Sequence, residues 1–279
     1  LEHNGKFILI DCGEGTQSRL RENKISFDKI THVFISHLHG DHYFGLAGLL
    51  STMSLLGRTR TIELYGPPAL IRIIELQFEV GKTFLSFSLL FKSIEKEEEV
   101  LKLKGLTCRS IELNHRLKCF GFVFAEEKKL RRINGSAVKE LRVPHFFMEN
   151  LRKGEDYVNN DGVVYKNTSL TFAPKKSHIY AFCSDNRIKS EFYKKLKKVS
   201  ILYHESTFLH QELAKAKKTF HSTAKEAALL AKEVNVDLLI LGHYSARYNS
   251  VGPFLEEARL VFNKTIASHE KQFFDFSKI

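Results

Sequence analysis

The sequence has no C-x-x-C pair, no internal repeat, no low-complexity tract and no apolar run near the ~18–20 residues that a membrane-spanning helix needs. These absences exclude thiolate zinc ribbons, solenoids and helical membrane proteins. No charged-then-apolar stretch of the signal-peptide kind opens it. Its four cysteines, Cys12, Cys108, Cys119 and Cys183, are scattered. Cys12 and Cys183 sit in strand-like apolar runs, where cysteine behaves as a small buried hydrophobe, and the usage points to a reducing, cytoplasmic compartment. Acidic charge is in deficit. Against 43 Lys and Arg stand 32 Asp and Glu, a balance of +11 with a pI of about 9.4. That favours polyanionic partners, nucleic acid before membrane surface, although a solvated basic surface gives the same balance.

What is present fits one large globular domain: 279 residues, 43% hydrophobic, mean hydropathy -0.21. Asn4-Gly5 is a type I′ hairpin signal before Lys6–Ile10. Only Leu1-Glu2-His3 stands ahead of it, so further N-terminal sequence, including a strand, is expected to precede it.

Short apolar runs read as buried strands at Phe7–Ile10, His32–Ile35, Ile179–Cys183, Ile201–Tyr203 and Leu238–Leu241. Close behind each comes a residue able to hold a metal or move a proton: Asp11, His37, Asp185, Glu205 and His243. Most strands end in polar loops, so one such ending says little. Five endings of this kind suggest strand ends gathered at one place, as layered sheets allow. Thr16–Asn23 reads as a helix after a Gly-rich turn. Thr223–Glu233 opens with Thr223-x-x-Glu226, a capping box ahead of an Ala/Leu stripe. Strands covered by helices predict a layered α/β protein. The middle differs. Residues 126–153 hold eight basic side chains (Lys128, Lys129, Arg131, Arg132, Lys139, Arg142, Arg152 and Lys153) against Glu126, Glu127, Glu140 and Glu149, a balance of +4. A second hairpin signal follows at Asn160-Asp161-Gly162. The stretch from roughly Ala125 to Lys166 reads as a basic insertion protruding from the core, with an ordinary charged surface helix as the bland alternative.

His37, His39, Asp41 and His42 fall within six residues just after a strand. In an extended loop, alternation would turn His37, His39 and Asp41 to one side and His42 to the other, which suits two adjacent metal ions. Imidazole and carboxylate without thiolate suit Zn²⁺, with Mn²⁺ or Fe²⁺ as options. Two ions need more ligands. His115, Asp185 and His243 are candidates as a set, and Asp185 has two oxygens with which to bridge. Singly, each also fits an ordinary turn or surface position.

His37-x-His39-x-Asp41-His42 resembles the signature of the metallo-β-lactamase superfamily. Asp11-Cys12-Gly13-Glu14-Gly15-Thr16-Gln17 is similar to the Asp-bearing loop of the ribonuclease Z family, the tRNA 3′-processing endonucleases. His204-Glu205-Ser206-Thr207-Phe208, His221-Ser222-Thr223 and Gly242-His243-Tyr244-Ser245-Ala246-Arg247-Tyr248 resemble that family's HEAT, HST and GHxSxRY elements, in the same order. The matches span almost the whole chain. The resemblance implies a single αββα sandwich over 1–279 with two Zn²⁺ ions. One would take His37, His39 and His115, the other Asp41, His42 and His243, with Asp185 bridging and Asp11 orienting a ligand from behind. It also implies a tRNA precursor as partner, a homodimer, and a flexible arm that grips the tRNA body. The basic insertion, with Lys128, Lys129, Arg131 and Arg132, stands where that arm belongs. The sequence departs from the family where the arm usually carries Gly-Pro and here reads Val143-Pro144-His145-Phe146-Phe147, and in lacking the family's N-terminal strand.

Catalytic roles follow. Asp41 accepts or orients the proton of the attacking water, and His221, held by Glu205, protonates the leaving ribose 3′-oxygen. His221 also fits a plain role ahead of the capping residues Ser222-Thr223. Two rivals remain: a small-molecule phosphodiesterase or thioesterase of the same superfamily, and an RNA-binding module with an inactive metal site. The basic balance and the HE and HST elements speak against the first, and seven candidate ligands against the second.

Overall fold

The computed structural model describes residues 1–278. The turn at Asn4-Gly5 forms as its residues dictate, both at positive φ (51° and 75°). Glu2–His3 (β1) thereby pairs antiparallel with Lys6–Ile10 (β2). Ile30–Phe34 (β3), Ile62–Gly66 (β4) and Leu89–Ser93 (β5) then add in parallel, giving a five-stranded sheet in sequence order. Parallel neighbours need crossovers. Helices at Thr16–Glu22, Leu46–Leu55 and Ala69–Val80 lie in the connections. A second sheet begins with Glu99–Leu103 (β6), Leu106–Leu113 (β7) and Cys119–Glu126 (β8).

Residues 126–178 then form a compact unit of their own. Its core is Val138, Val143, Leu151, Tyr157 and Leu170. Arg132–Ile133 (β9) is followed by a hairpin of Tyr157–Val158 (β10) and Val164–Tyr165 (β11), turned by Gly162 at φ 79°. Thr171–Phe172 (β12) returns to pair with β9. The unit runs past Lys166, the expected end of the basic insertion, to His178, because β12 closes back on its own beginning. Buried Asn167 helps to close it, donating through Nδ2 to the carbonyls of Leu151 (2.8 Å) and Glu155 (2.9 Å).

The second sheet resumes with Ile179–Cys183 (β13), antiparallel to β8. Ile201–Glu205 (β14), Leu238–Gly242 (β15) and Thr265–Ala267 (β16) follow in parallel, for an order of β16-β15-β14-β13-β8-β7-β6. Strand side chains alternate between two layers, as a period of 2 requires. Val33 and Ile35 pack with the helices over the first sheet, while Phe34 packs with Phe120, Phe122 and Phe124 of β8 between the sheets. On β13, Ala181 and Cys183 join the helix-side core with Ala224, Ala227 and Phe254. The result is an αββα sandwich. Its inner layer is aromatic: Phe34 stacks on Tyr65 at 4.3 Å and meets Phe122 edge-on at 5.0 Å. Truncating Phe34 to alanine would cost about 3–5 kcal/mol.

All four cysteines are free and buried, and Cys12 lies just past β2 rather than within a strand. Among the described residues, no helix is long and apolar enough to cross a membrane.

Candidate metal centre

The loops after β3, β13 and β15, with the β7–β8 turn, bring the seven candidate ligands together. In one group, Nε2 of His37 and Nε2 of His115 lie 3.0 and 3.1 Å from Nδ1 of His39. Oδ2 of Asp185 faces this group, 3.6 Å from His37 and 3.7 Å from His115. In the other, Oδ2 of Asp41 lies 3.4 Å from Nε2 of His42 and 3.5 Å from Nε2 of His243. Oδ1 of Asp185 is 3.5 and 3.2 Å from those same nitrogens. Asp185 thus offers one oxygen to each group.

This grouping corrects the alternation argument, which set Asp41 with His37 and His39 and put His42 across from them. The chain is extended only as far as His39. At Gly40 it enters a helical turn, Gly40–Tyr43, which carries Asp41 and His42 together toward His243. A Cβ on Gly40 would stand 2.2 Å from the exposed Phe44 ring, which would have to swing aside.

Four of the histidines are oriented from behind in one way: Nδ1 is occupied, and Nε2 faces the cluster. His42 Nδ1 donates to Oδ2 of Asp11 at 2.8 Å. His37 Nδ1 donates to Ser36 Oγ at 3.0 Å, which passes its own proton to Asp11 at 2.9 Å. His115 Nδ1 donates to the carbonyl of Phe220 at 3.1 Å. His243 Nδ1 donates to Thr207 Oγ1 at 3.0 Å, and Thr207 donates to Glu205 at 2.7 Å. Each contact fixes a tautomer with a bare Nε2, the form in which imidazole binds a metal. Asp11 and His243 hold left-handed backbone, φ 58° and 57°. Such non-glycine positions cost about 1–3 kcal/mol and gather at functional sites.

Glu205 is fully buried and its oxygens are saturated. Oε1 accepts from the backbone N–H of Asn186 (3.1 Å) and of Ser222 (2.7 Å) and from His221 Nδ1 (3.2 Å). Oε2 accepts from Thr207 N–H (2.9 Å) and Oγ1. His221 therefore points Nε2 inward, 3.9 Å from Oδ2 of Asp185. Thr223 caps the following helix with a complete capping box, which fixes the chain just beyond His221.

Charge tells whether the site suits a cation. Burial opposes a proton on His42, but the hydrogen bond to Asp11, with the Asp41 and Asp185 carboxylates close by, outweighs it and raises its pKa to about 10. His243 is raised against burial by Asp41, Asp185 and Glu205. Burial lowers His115 to about 4, and burial, His37 and Arg116 hold His39 down. His243 and His42, whose Nε2 atoms lie 3.5 and 3.4 Å away, hold Asp41 far below the usual carboxylate range. For Asp185, burial raises the pKa, and His37, His243, His42 and His221 more than reverse it. Carboxylate charge here exceeds what neutral imidazoles balance, and either protons or divalent cations answer it. Nε2 of His42 and Oδ1 of Asp185 are buried without a hydrogen-bond partner. Nitrogen and carboxylate donors with two such orphaned atoms fit divalent ions of the zinc kind.

Ser36, Thr207 and Asn186 escaped the sequence reading as functional residues. Ser36 and Thr207 adjoin motif residues, which was the available signal. Asn186 gave none. Its Oδ1 accepts from Asn114 N–H at 3.0 Å, tying the His115 turn to the Asp185 loop. Lys128, Lys129, Arg131 and Arg132 lie in the 126–178 unit. There Lys129 pairs with Glu126 at 2.9 Å, Arg131 donates to Thr171 at 2.7 Å, and Arg132 lies over the Phe172 ring.

The two stacked sheets and the histidine–aspartate cluster at their edge define the metallo-β-lactamase fold. Among solved structures, human tRNase Z, short form, shares it with a TM-score of 0.69 and 24% identity, over 98% of this chain and 89% of that one. Relatives named ribonuclease Z are 40% identical in Bacteroides fragilis (95% of this chain, 88% of the relative) and 42% identical in Cytophaga hutchinsonii (97% and 87%). The chain belongs to the ribonuclease Z family, and to the family described as Anti-Pycsar protein Apyc1, whose model matches residues 1–265.

Proposed function

We propose that this protein removes the 3′ trailer from tRNA precursors, leaving a 3′-hydroxyl on the tRNA and a 5′-phosphate on the trailer. As a ribonuclease Z family member, it is a metal-dependent endoribonuclease. The observation that carries the reading is Asp185, shared between two ligand groups with the Glu205–His221 pair alongside. Two Zn²⁺ ions would be held there, one by His37, His39 and His115 and the other by Asp41, His42 and His243, with Asp185 offering an oxygen to each group. Such ions neutralise phosphoryl charge and make water a stronger nucleophile at neutral pH.

The side chains do the rest. Asp41, held ionised, orients the proton of the attacking water. His221, its Nδ1 held by Glu205, keeps Nε2 aimed at the reacting phosphate and protonates the ribose 3′-oxygen as it leaves. Asp11 holds His42 in its ligand tautomer. In the 126–178 unit, Lys128, Lys129, Arg131 and Arg132 bind the tRNA body through its phosphates. The working form is a cytoplasmic homodimer. Exposed Leu55, Leu56 and Phe84 support that assembly, gathered where Ser54 Oγ donates to the Phe84 carbonyl at 3.3 Å. The test is to incubate the zinc-loaded protein with a 3′-extended tRNA precursor and map the cut. One cut at the mature 3′ end is expected. No cut, with hydrolysis of a small phosphodiester, would make it a small-molecule phosphodiesterase instead.

A further inference from the structure

Resting on the endoribonuclease reading, we infer that a basic groove beside His115 binds RNA phosphates next to the cut. The groove encloses about 570 Å³ and is lined by His115, Arg116, Lys118, Lys189 and Lys195. That volume is within the ~300–1,000 Å³ of ligand sites. Arg116 and Lys118 sit in the same short turn as His115, and Lys189 follows Asp185 by four residues. The groove therefore begins at two of the candidate ligand loops.

Its cations differ in how they are engaged. Lys195 is committed, to Glu97 and to the carbonyl of Glu112 at 3.0 Å. Lys118 only rests over the Phe120 ring, 5.8 Å from its centre. The side chains of Arg116 and Lys189 make no hydrogen bond or ion pair with any described residue. Glu112 and Glu191 are the carboxylates of the lining, so positive charge is in excess. Like charges gathered in one concavity repel each other and focus a field that attracts anions. Leu117, 41% exposed between Arg116 and Lys118, gives a base an apolar surface. The chemistry recognised is a phosphodiester backbone with an attached base. It is supplied either by the trailer or by the last nucleotides of the tRNA.

The test is the variant R116Q/K118Q/K189Q, with binding of a 3′-extended tRNA precursor followed by fluorescence anisotropy over a range of salt. Each single-strand phosphate contact contributes about 0.7 to the slope of log affinity against log salt. The expected result is a slope shallower by about 2 and affinity at least ten-fold weaker at low salt. The charge-preserving variant K118R/K189R should keep the wild-type slope. A loss that grows with trailer length assigns the groove to the trailer, and an equal loss on short and long trailers assigns it to the tRNA side. An unchanged slope and affinity in the triple variant, or a loss as large in K118R/K189R, overturns the proposal. Because binding is read apart from cleavage, wild-type protein that binds through this groove without cutting would overturn the endonuclease reading alone.

Discussion

The Asp11 carboxylate lies 2.8 Å from Nδ1 of His42, and Ser36 binds both of its oxygens, through N–H at 2.7 Å and Oγ at 2.9 Å. The aspartate is immobilised, and so is the imidazole. Asp11→Asn would turn an amide toward His42 Nδ1 and favour the tautomer with a proton on Nε2, which cannot bind a metal. Zinc affinity should fall by ~10–100-fold, the usual consequence of losing such a partner. Zinc titration against a competing chelator measures it, and wild-type affinity in the variant would refute the tautomer argument.

Asp185→Ala removes the one carboxylate shared by both ligand groups. Metal content should fall for both sites, with activity lower by orders of magnitude. Metal analysis of the purified variant is the check. Full occupancy with near-normal turnover would show that Asp185 does not bridge.

Zinc uptake should release protons. His42 has its pKa raised to about 10, so at neutral pH the metal-free site holds a proton there. That proton stays bound at any pH below about 10, and a metal ligand must give it up. Apparent zinc affinity should therefore rise with pH through the neutral range. Calorimetry in buffers of different ionisation enthalpy counts the protons, and zero released at pH 7 would contradict the raised pKa.

His221→Ala should leave metal content intact, because the two ligand groups proposed here are complete without it and its Nδ1 is held by Glu205 and Thr207. Cleavage of RNA should slow by ~10²–10⁴-fold, the range for a lost general acid. A diester with a p-nitrophenolate leaving group needs no proton and should lose far less. Equal losses on both substrates would sink the donor role.

Removing the 126–178 unit should spare the fold of the remainder. Ala125 and Ile179 are already register partners across β8 and β13, so an Asn-Gly turn can join them. Precursor binding should weaken and lose salt dependence, by about 0.9 in slope per duplex phosphate contact. Unchanged affinity and slope in the folded deletion variant would leave the unit without a role in binding the tRNA body.

Much of this centre was legible because its ligands follow apolar strands. Phe7–Ile10, Ile179–Cys183 and Leu238–Leu241 announce themselves by hydrophobicity, and Asp11, Asp185 and His243 stand just beyond. The side on which a ligand falls was not legible from spacing and alternation alone. Asp41 and His42 join one group because the chain coils at Gly40, and a motif read as extended cannot show that. The positive φ of Asp11 and His243 was equally hidden, since neither residue type demands it. The insertion's charge was visible but its end was not, because β12 is two residues long and its partner β9 lies far back in the chain.

The carbonyl that receives the His115 Nδ1 proton belongs to Phe220, which ends the helix Leu213–Thr219 in left-handed conformation, one residue before His221. A candidate ligand from one loop is thus fastened to the segment that carries the candidate proton donor. Occupancy of the site then becomes a term in the local unfolding equilibrium of residues 213–223. Ligand at a thousand times its dissociation constant would stabilise that segment by about 4 kcal/mol if its opening released the ligand. The amides there should exchange with solvent freely in the stripped protein and slowly in the loaded one.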